Sequence, residues 1–218
     1  MISKQDCLAW LQTLPDESVD LLCTDPAYES LEKHRARGTT TRLTKDWFPI
    51  FKNENYPQFF AECYRVMRPN RHGYVFCDQE TMFVIKPVLE QVGFKFWKPI
   101  IWDKMRMGMG YHYRNTYECI LFFEKGKRNL KDLGVKDVLH IERVSNGYPT
   151  EKPVPLLDIL IKNSADPGFH VIDPFLGSGA TAVTALQNNC TFAGCDVNDA
   201  ALTYAFPRIL KTLNEARP

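Results

Sequence analysis

The stretch that decides the fold is Val171-Ile172-Asp173-Pro174-Phe175-Leu176-Gly177-Ser178-Gly179-Ala180-Thr181. Its first two residues end an apolar run that predicts a buried strand, and an alanine-rich run over 180–186 favours a helix. Strand, Gly-X-Gly turn and helix is the order in which bare backbone approaches a small ligand, because a Cβ would block both the turn and the approach. A purely structural turn is the alternative, since no Gly-Lys-Ser/Thr closes the stretch into a phosphate loop.

Asp196 supplies the second feature of a cofactor site. A short apolar run over 190–195 predicts the next strand, and Asp196 closes it. An acidic residue at this place, about 20 positions after a glycine-rich turn, binds a ribose diol in nucleotide-binding folds. The glycine turn and Asp196 together predict a cofactor that contains a nucleoside but needs no phosphate clamp.

The composition describes an ordinary globular chain. It has 218 residues, of which 44% are hydrophobic and 24% charged, and we expect one α/β domain over 1–218. The formal net charge is only +1, so a surface for nucleic acid has to be a local patch. Two stretches without sustained periodicity, 29–55 and 125–148, are the candidates for DNA-contacting insertions.

The seven cysteines form no CxxC pair, and several lie inside apolar runs. We interpret them as reduced core residues of a cytoplasmic protein, the alternative being a disulfide or metal role. The five histidines show no ligand-like spacing, so we expect no metal. The first residues are polar and no apolar run is long enough to cross a bilayer, so we expect neither a signal peptide nor a membrane span.

Strands and helices alternate along the chain. Apolar runs predict further strands over 19–24, 73–78, 95–102 and 117–124, and helical spacing predicts helices over 56–67, 81–92, 154–162 and 200–213. This alternation is typical of a mostly parallel sheet with helices on both faces, and such sheets bind ligands at the carboxyl ends of their strands. The carboxylates that fall at such ends are Asp25, Asp78, Asp173 and Asp196.

Asp25-Pro26-Ala27-Tyr28 follows a hydrophobic strand directly. A strand-terminating turn is the simple interpretation, because Asp-Pro is common in turns. The chemical interpretation is methylation of an exocyclic amino group. The lone pair of that nitrogen is delocalised into the base, so transfer needs acceptors that hold its N–H bonds. Asp25 and the Pro26 carbonyl are such acceptors, and Tyr28 can hold the base flat, so positioning and electrostatics would supply the catalysis.

At this point the chain resembles the β class of S-adenosylmethionine-dependent DNA amino-methyltransferases. That family carries an Asp-Pro-Pro-Tyr or Ser-Pro-Pro-Tyr motif early and a Phe-x-Gly-x-Gly motif late, which is the permuted order of the two motifs. Ordered matches also occur at 6–8, at 14–21, at 102–104, at Arg114 with Glu118, and at Thr150-Glu151-Lys152-Pro153. Ala27 replaces the usual second proline, a change that removes no acceptor, and we expect activity to survive.

The resemblance implies a Rossmann-like fold with a seven-stranded, mostly parallel sheet. It also implies S-adenosylmethionine as cofactor, with Asp6 at its adenine, Asp196 at its ribose and Lys152 near its carboxylate. The full set predicted for the cofactor is Asp6, Cys7, Asp25, Lys152, Asp173, Phe175, Gly177, Ser178, Gly179, Thr181 and Asp196. The predicted catalytic residues are Asp25, Pro26 and Tyr28, which would meet a base flipped out of double-stranded DNA.

Three basic stretches are candidates for phosphate contacts, the alternative for each being a solvated surface run. The residues predicted to bind DNA are Arg35, Arg37, Arg42, Lys45, Lys104, Arg106 and Arg114, and Lys125, Lys127, Arg128 and Lys131 form the third stretch. The chain is short for the family and has little room for a separate recognition domain. We therefore expect recognition to fall to the two insertions or to a partner specificity subunit, and a homodimer is the other association that analogy with the family predicts.

The function predicted from the sequence is adenine-N6 methylation of DNA, because the first residue of the early motif is an aspartate. Cytosine-N4 methylation is the enzymatic alternative. A non-catalytic DNA-binding subunit is the alternative from another class, although the intact Asp25, Tyr28, Gly177 and Gly179 argue against it. Methylation of RNA or of a protein amide is less favoured, since protein-amide enzymes typically carry Asn where Asp25 stands.

Overall fold

A single mixed sheet organises the computed structural model, which describes residues 1–32, 49–108 and 112–215. The strands in this part of the chain are β1 (Ile2–Lys4), β2 (Val19–Thr24), β3 (Met67–Cys77), β4 (Lys95–Asp103), β5 (Tyr117–Lys125), β6 (Val138–His140), β7 (His170–Asp173) and β8 (Thr191–Asp196). The helices are α1 (Cys7–Thr13), α2 (Tyr56–Val66), α3 (Gln79–Val92), α4 (Val154–Ser164), α5 (Ala180–Gln187) and α6 (Asp199–Glu215).

The strands lie side by side in the order β1-β8-β7-β2-β3-β5-β4-β6. Among these described strands only β5 runs antiparallel to its neighbours, β3 and β4. The sheet therefore has eight strands in the described residues, and the expectation of seven was wrong. The two strands that the sequence interpretation missed, β1 and β6, have three residues each and pair only at the two outer edges.

The α/β arrangement follows from strands that are apolar on both faces. Successive side chains of a strand point to opposite faces, and Tyr74 and Phe76 enter one hydrophobic core while Val75 and Cys77 enter the other. Helices α4, α5 and α6 cover the first face, and α1, α2 and α3 cover the second. Strands buried on both faces are the reason why the central runs read as continuous apolar segments rather than alternating ones.

This topology collects acidic side chains at one edge of the sheet. Asp25, Asp173 and Asp196 follow or end the parallel strands β2, β7 and β8 at their carboxyl ends. Because β5 is reversed, Glu118 near its beginning reaches the same edge, opposite Trp102 of β4. Ligands of open α/β sheets bind at this edge, so the fold brings together carboxylates that are distant in sequence.

All seven cysteines are buried and none forms a disulfide. Within the described ranges, no helix combines the length and the apolar character that a membrane crossing requires. In the same residues there is no group of three or more His, Cys, Asp or Glu side chains that could hold a metal ion.

Candidate active site

The early and the late motif line one cavity of about 490 Å³ at the carboxyl edge of the sheet. Residues 25–28 contribute to one part of its wall and residues 173–178 to another. Of the residues predicted for the cofactor, all but Gly179 line this cavity, as do all three predicted catalytic residues. The two motifs, about 150 positions apart in sequence, therefore share one cleft.

Adjacent strands bring the two motifs together. Strand β2 pairs with β7 in parallel register, Leu21 opposite Val171 and Leu22 opposite Ile172. At the ends of these strands the Thr24 hydroxyl donates to Asp173 Oδ1 over 2.6 Å. Asp173 also accepts the Phe175 backbone N–H at 3.0 Å, so its carboxylate fixes the start of the glycine turn.

The two glycines of the turn have different physical roles. Gly177 has φ +50°, and among the described residues a Cβ placed on it would meet only the Phe175 carbonyl oxygen, at 3.8 Å. Gly179 has φ +74°, and its Cβ would lie 2.9 Å from the Ala205 Cβ of α6. Gly177 thus keeps the cavity wall bare, whereas Gly179 lets α5 begin in close contact with α6.

Asp196 and Asp6 already hold backbone groups. Asp196 accepts the N–H of Gly177 and that of Asn198, each at 2.8 Å, so it joins the end of β8 to the glycine turn. Asp6 caps α1 by accepting the N–H groups of Leu8 at 2.9 Å and Ala9 at 3.2 Å. Each carboxylate can accept further bonds, so these contacts leave room for the predicted ribose and adenine roles.

One backbone hydrogen bond fixes the early motif, and Pro26 lines the cavity. The Ala27 carbonyl accepts the Phe51 N–H at 2.8 Å, an interaction that ties the motif to the segment before α2. Among the described residues, none donates a hydrogen bond to the Pro26 carbonyl. That oxygen is thus free in this part of the chain to accept an N–H of a bound amino group.

Four charged side chains form a chain that ends at Asp25. Lys104 Nζ lies 2.5 Å from Glu118 Oε1, and Lys152 Nζ lies 3.4 Å from Glu118 Oε2. Lys152 Nζ also donates to Asp25 Oδ2. Burial is the main cause that raises the pKa of Asp25, opposed by Lys152 and reinforced by Glu118. Burial would also raise the pKa of Glu118, but its two ammonium neighbours outweigh that effect and lower it.

Tyr28 faces the same cluster of charges. Burial, with smaller contributions from Glu118 and Asp25, raises the pKa of its hydroxyl well above the ordinary value. The phenol is therefore neutral at physiological pH. Its position in the cavity wall next to Asp25 suits the predicted role of holding a planar base.

The predicted DNA-binding residues fall in different places. Arg35, Arg37, Arg42 and Lys45 lie outside the described residues. Arg106 and Arg114 are exposed in the β4–β5 connection at the cavity edge of the sheet, whereas the ammonium of Lys104 is held by Glu118. Lys104 is therefore less available to a phosphate than the sequence suggested.

The third basic stretch lies at the opposite edge of the sheet, because β5 ends there. Lys125 is buried and donates to the carbonyls of Tyr64 and Met67, while Arg128 and Lys131 pair with Asp166. The buried Lys125 is therefore not available to a phosphate, contrary to that suggestion, whereas phosphate contacts by Arg128 and Lys131 stay a prediction. The far end of the 125–148 insertion does return to the site, where Tyr148 lines the cavity.

Sequence reasoning singled out several residues that line the cavity for no individual role at the site, although some of them lie in the two predicted insertions. Glu118 is one, since its place depends on the reversed direction of β5, which no local pattern shows. Others are Ile50, Phe51, Asn55, Tyr148, Pro149 and Asn198. A charged residue that interrupts an otherwise apolar strand, as Glu118 does, is the signal that could have drawn attention to it.

The lining fits S-adenosylmethionine. Acidic side chains are available for ribose and adenine, the bare backbone of Gly177 allows close approach, and Lys152 offers a cation for a carboxylate.

Comparison with known proteins agrees with this geometry. The sequence profile of the DNA methylase family for N6 and N4 targets matches residues 19–207. The Type II methyltransferase M2.DpnII of Streptococcus pneumoniae is 27% identical over 233 residues, covering 94% of this chain and 87% of the relative.

Solved structures share the fold. The M1.HpyAVI–SAM complex superimposes with a TM-score of 0.72 at 20% identity, covering 96% of this chain and 98% of that one. The cytosine-N4-specific PvuII DNA methyltransferase gives a TM-score of 0.71 at 15% identity, covering 99% and 91%. The family profile spans most of the chain and the fold agrees with it, so the protein belongs to the N6/N4 family of DNA methylases, the S-adenosylmethionine-dependent amino-methyltransferases of DNA.

Proposed function

We propose that the protein methylates the N6 amino group of adenine in a specific sequence of double-stranded DNA. The observation that carries this proposal is the shared cavity of residues 25–28 and 173–178. The choice of adenine rests on Asp25 as the first residue of the early motif. The resemblance associates an aspartate at this place with adenine.

The residues of the chain act mainly by positioning. When bound, S-adenosylmethionine supplies an electrophilic methyl group. Asp25 and the Pro26 carbonyl accept the two N–H bonds of the target amino group and favour a tetrahedral nitrogen, while Tyr28 holds the flipped base. As the N–C bond forms and the C–S bond breaks, the nitrogen releases one proton, for which Asp25 is the adjacent acceptor. The cofactor is held by Phe175 to Ser178, Asp196, Asp6 and Lys152.

The DNA would lie across the carboxyl edge of the sheet. Arg106 and Arg114 in the β4–β5 connection contact phosphates in this proposal, as do the basic residues of 33–48. Association with a second copy or a specificity subunit stays a prediction, which light scattering on the purified protein tests.

A methyl-transfer assay with labelled S-adenosylmethionine and duplex DNA tests the catalytic assignment. Removing a preorganised acceptor costs about 10²–10³-fold or more, so we expect Asp25→Ala to lose at least that much activity. Asp103→Asn is the matched control, because Asp103 also ends a strand at this edge but does not line the cavity. Full activity of Asp25→Ala would contradict the proposed role.

The identity of the methylated nucleoside distinguishes adenine from cytosine as the target base. Modified DNA is digested to nucleosides, and we expect N6-methyldeoxyadenosine. N4-methyldeoxycytidine would replace adenine by cytosine as the target while leaving the site assignments intact. Failure of the wild-type protein to bind S-adenosylmethionine in calorimetry would instead favour the non-catalytic DNA-binding subunit.

A further inference from the structure

The catalytic candidate Asp25 shares its ammonium partner with a second carboxylate. Lys152 precedes α4 and reaches Asp25 after β2, a residue 127 positions away. On its other side Lys152 Nζ faces Glu118 Oε2 at 3.4 Å. The side chain of Lys152 is only 9% exposed, and that of Glu118 only 16%, so solvent screens this arrangement weakly.

In the described part of the chain, only one of the two carboxylate oxygens of Glu118 has a close partner. Its Oε1 lies 2.5 Å from Lys104 Nζ, whereas Oε2 is buried without a hydrogen bond of good geometry. A buried carboxylate oxygen in that state attracts the nearest donor, which is Lys152. Lys152 is therefore drawn toward Glu118 at the same time as it binds Asp25.

The reaction places two opposed demands on Asp25. Its carboxylate has to be ionised to accept an amino N–H, which a nearby cation favours, since burial alone disfavours the charged form. It also has to remain a good acceptor, which an exclusive ion pair would prevent. An ammonium divided between two carboxylates meets both demands.

We propose that Glu118 is a positioning residue for methyl transfer: Lys152 keeps Asp25 ionised, and Glu118, by sharing Lys152, keeps the Asp25 carboxylate available to the substrate. The inference rests on the proposed function, because it assigns Asp25 the amino-acceptor role. Glu118 itself need not touch the base, and it acts through Lys152.

The charged groups around Asp25 determine in which direction each substitution should shift its pKa. The charged or titratable groups that act on it are Lys152, Glu118, Lys104, Asp173 and Tyr28. Removing the positive charge in Lys152→Gln should raise the pKa of Asp25. Removing the negative charge in Glu118→Gln should lower it, because Lys152 then binds Asp25 alone. Opposite charges at this range shift a carboxyl pKa by about one unit or more.

The first experiment titrates the Asp25 side-chain carbon by ¹³C NMR in the protein without cofactor or DNA, with Asp25→Asn assigning the signal. We expect an upward shift in Lys152→Gln and a downward shift in Glu118→Gln. Glu90→Gln is the control, since it removes an exposed pair with Lys86 on α3 and should leave Asp25 unchanged. Shifts of the same sign in both variants, or no shift in either, overturn the inference.

The second experiment follows the pH dependence of single-turnover methylation at saturating cofactor. We expect the acid limb of the rate profile to move to higher pH in Lys152→Gln and to lower pH in Glu118→Gln. In Glu118→Gln we also expect the plateau rate to be about tenfold lower, because Asp25 stays in its ion pair with Lys152. A purely structural role would lower the plateau without moving the limb, and that result overturns the inference.

A third variant keeps the inference testable if Lys152→Gln or Glu118→Gln does not fold. Lys104→Gln releases Glu118 to pull harder on Lys152, so we expect the pKa of Asp25 to rise, and an unchanged value counts against the inference. The failures are distinguishable. A wild-type protein that methylates no DNA overturns the proposed function, whereas an active protein whose Asp25 does not respond overturns only the role of Glu118.

Discussion

Asp173 is a carboxylate whose protonation is set mainly by its burial. It is 3% exposed, and burial raises its pKa to about 7, although the Thr24 hydroxyl and the Phe175 N–H pull it down. A raised pKa means that the native state binds the proton more tightly than the unfolded chain does. The stability that Asp173 contributes is therefore complete below pH 4 and is lost as the pH rises to about 7.

The variant Asp173→Asn tests whether stability falls with rising pH because Asp173 ionises. An asparagine oxygen can still accept from Thr24 and Phe175 but does not ionise. At about 1.4 kcal/mol for each unit of pKa shift, we expect the free energy of unfolding of Asp173→Asn to gain up to about 4 kcal/mol relative to wild type between pH 4 and 8. Urea unfolding at several pH values measures it.

Thr24→Val provides the counter-test. Without the Thr24 hydroxyl, the charged form of Asp173 loses a hydrogen bond of 2.6 Å, so the pKa of Asp173 should rise further and the stability of the variant should keep falling to a higher pH than that of wild type. A difference between Asp173→Asn and wild type that is the same at every pH would show that Asp173 does not titrate in this range.

At the scale of elements, the two glycines between β7 and α5 should affect different properties, one mainly stability and the other mainly cofactor binding. Gly179→Ala would place a Cβ 2.9 Å from Ala205 of α6, in addition to the strain of a positive φ. Gly177→Ala carries similar strain but finds open space beside the cavity. We expect Gly179→Ala to lower the free energy of unfolding by about 2–4 kcal/mol and Gly177→Ala by about 1–2 kcal/mol.

Cofactor binding should rank the two variants in the reverse order. In Gly177→Ala the new methyl group occupies cavity wall that the cofactor approaches, so calorimetry should give a weaker affinity for S-adenosylmethionine than in Gly179→Ala. Equal effects of both substitutions on stability and on affinity would remove the distinction between the two glycines.

The same scale shows where sequence reasoning succeeded. Residues 25–28 and 173–179 each follow an apolar strand directly, so local order alone sends both to the carboxyl edge of the sheet. Strands β1 and β6 were missed because three residues cannot show a period, and their pairing is decided by neighbours such as Gly194 and Ile101. The Lys152–Asp25 pair joins residues 127 positions apart, a contact that only the assembled sheet creates.

At the scale of the whole molecule, the two edges of the sheet use their positive charge differently. At the edge away from the cavity, Lys125, Arg128 and Lys131 are paired within the protein. At the cavity edge, Arg106 and Arg114 are exposed and bond only neutral oxygens of Ser145 and Gly108 among the described residues. With a net charge of only +1, the proposed DNA surface depends on this local difference.

The salt dependence of DNA binding tests that difference. Each phosphate contact contributes about 0.9 to the slope of log Kobs against log salt concentration. We expect Arg106→Ala and Arg114→Ala each to lower the magnitude of the slope by about one and to weaken binding to every DNA sequence alike. Lys127→Ala is the matched control, because Lys127 is exposed just beyond β5 at the opposite edge. A slope that falls in Lys127→Ala but not in the two arginine variants would place the DNA on the wrong edge of the sheet for Asp25 to reach its base.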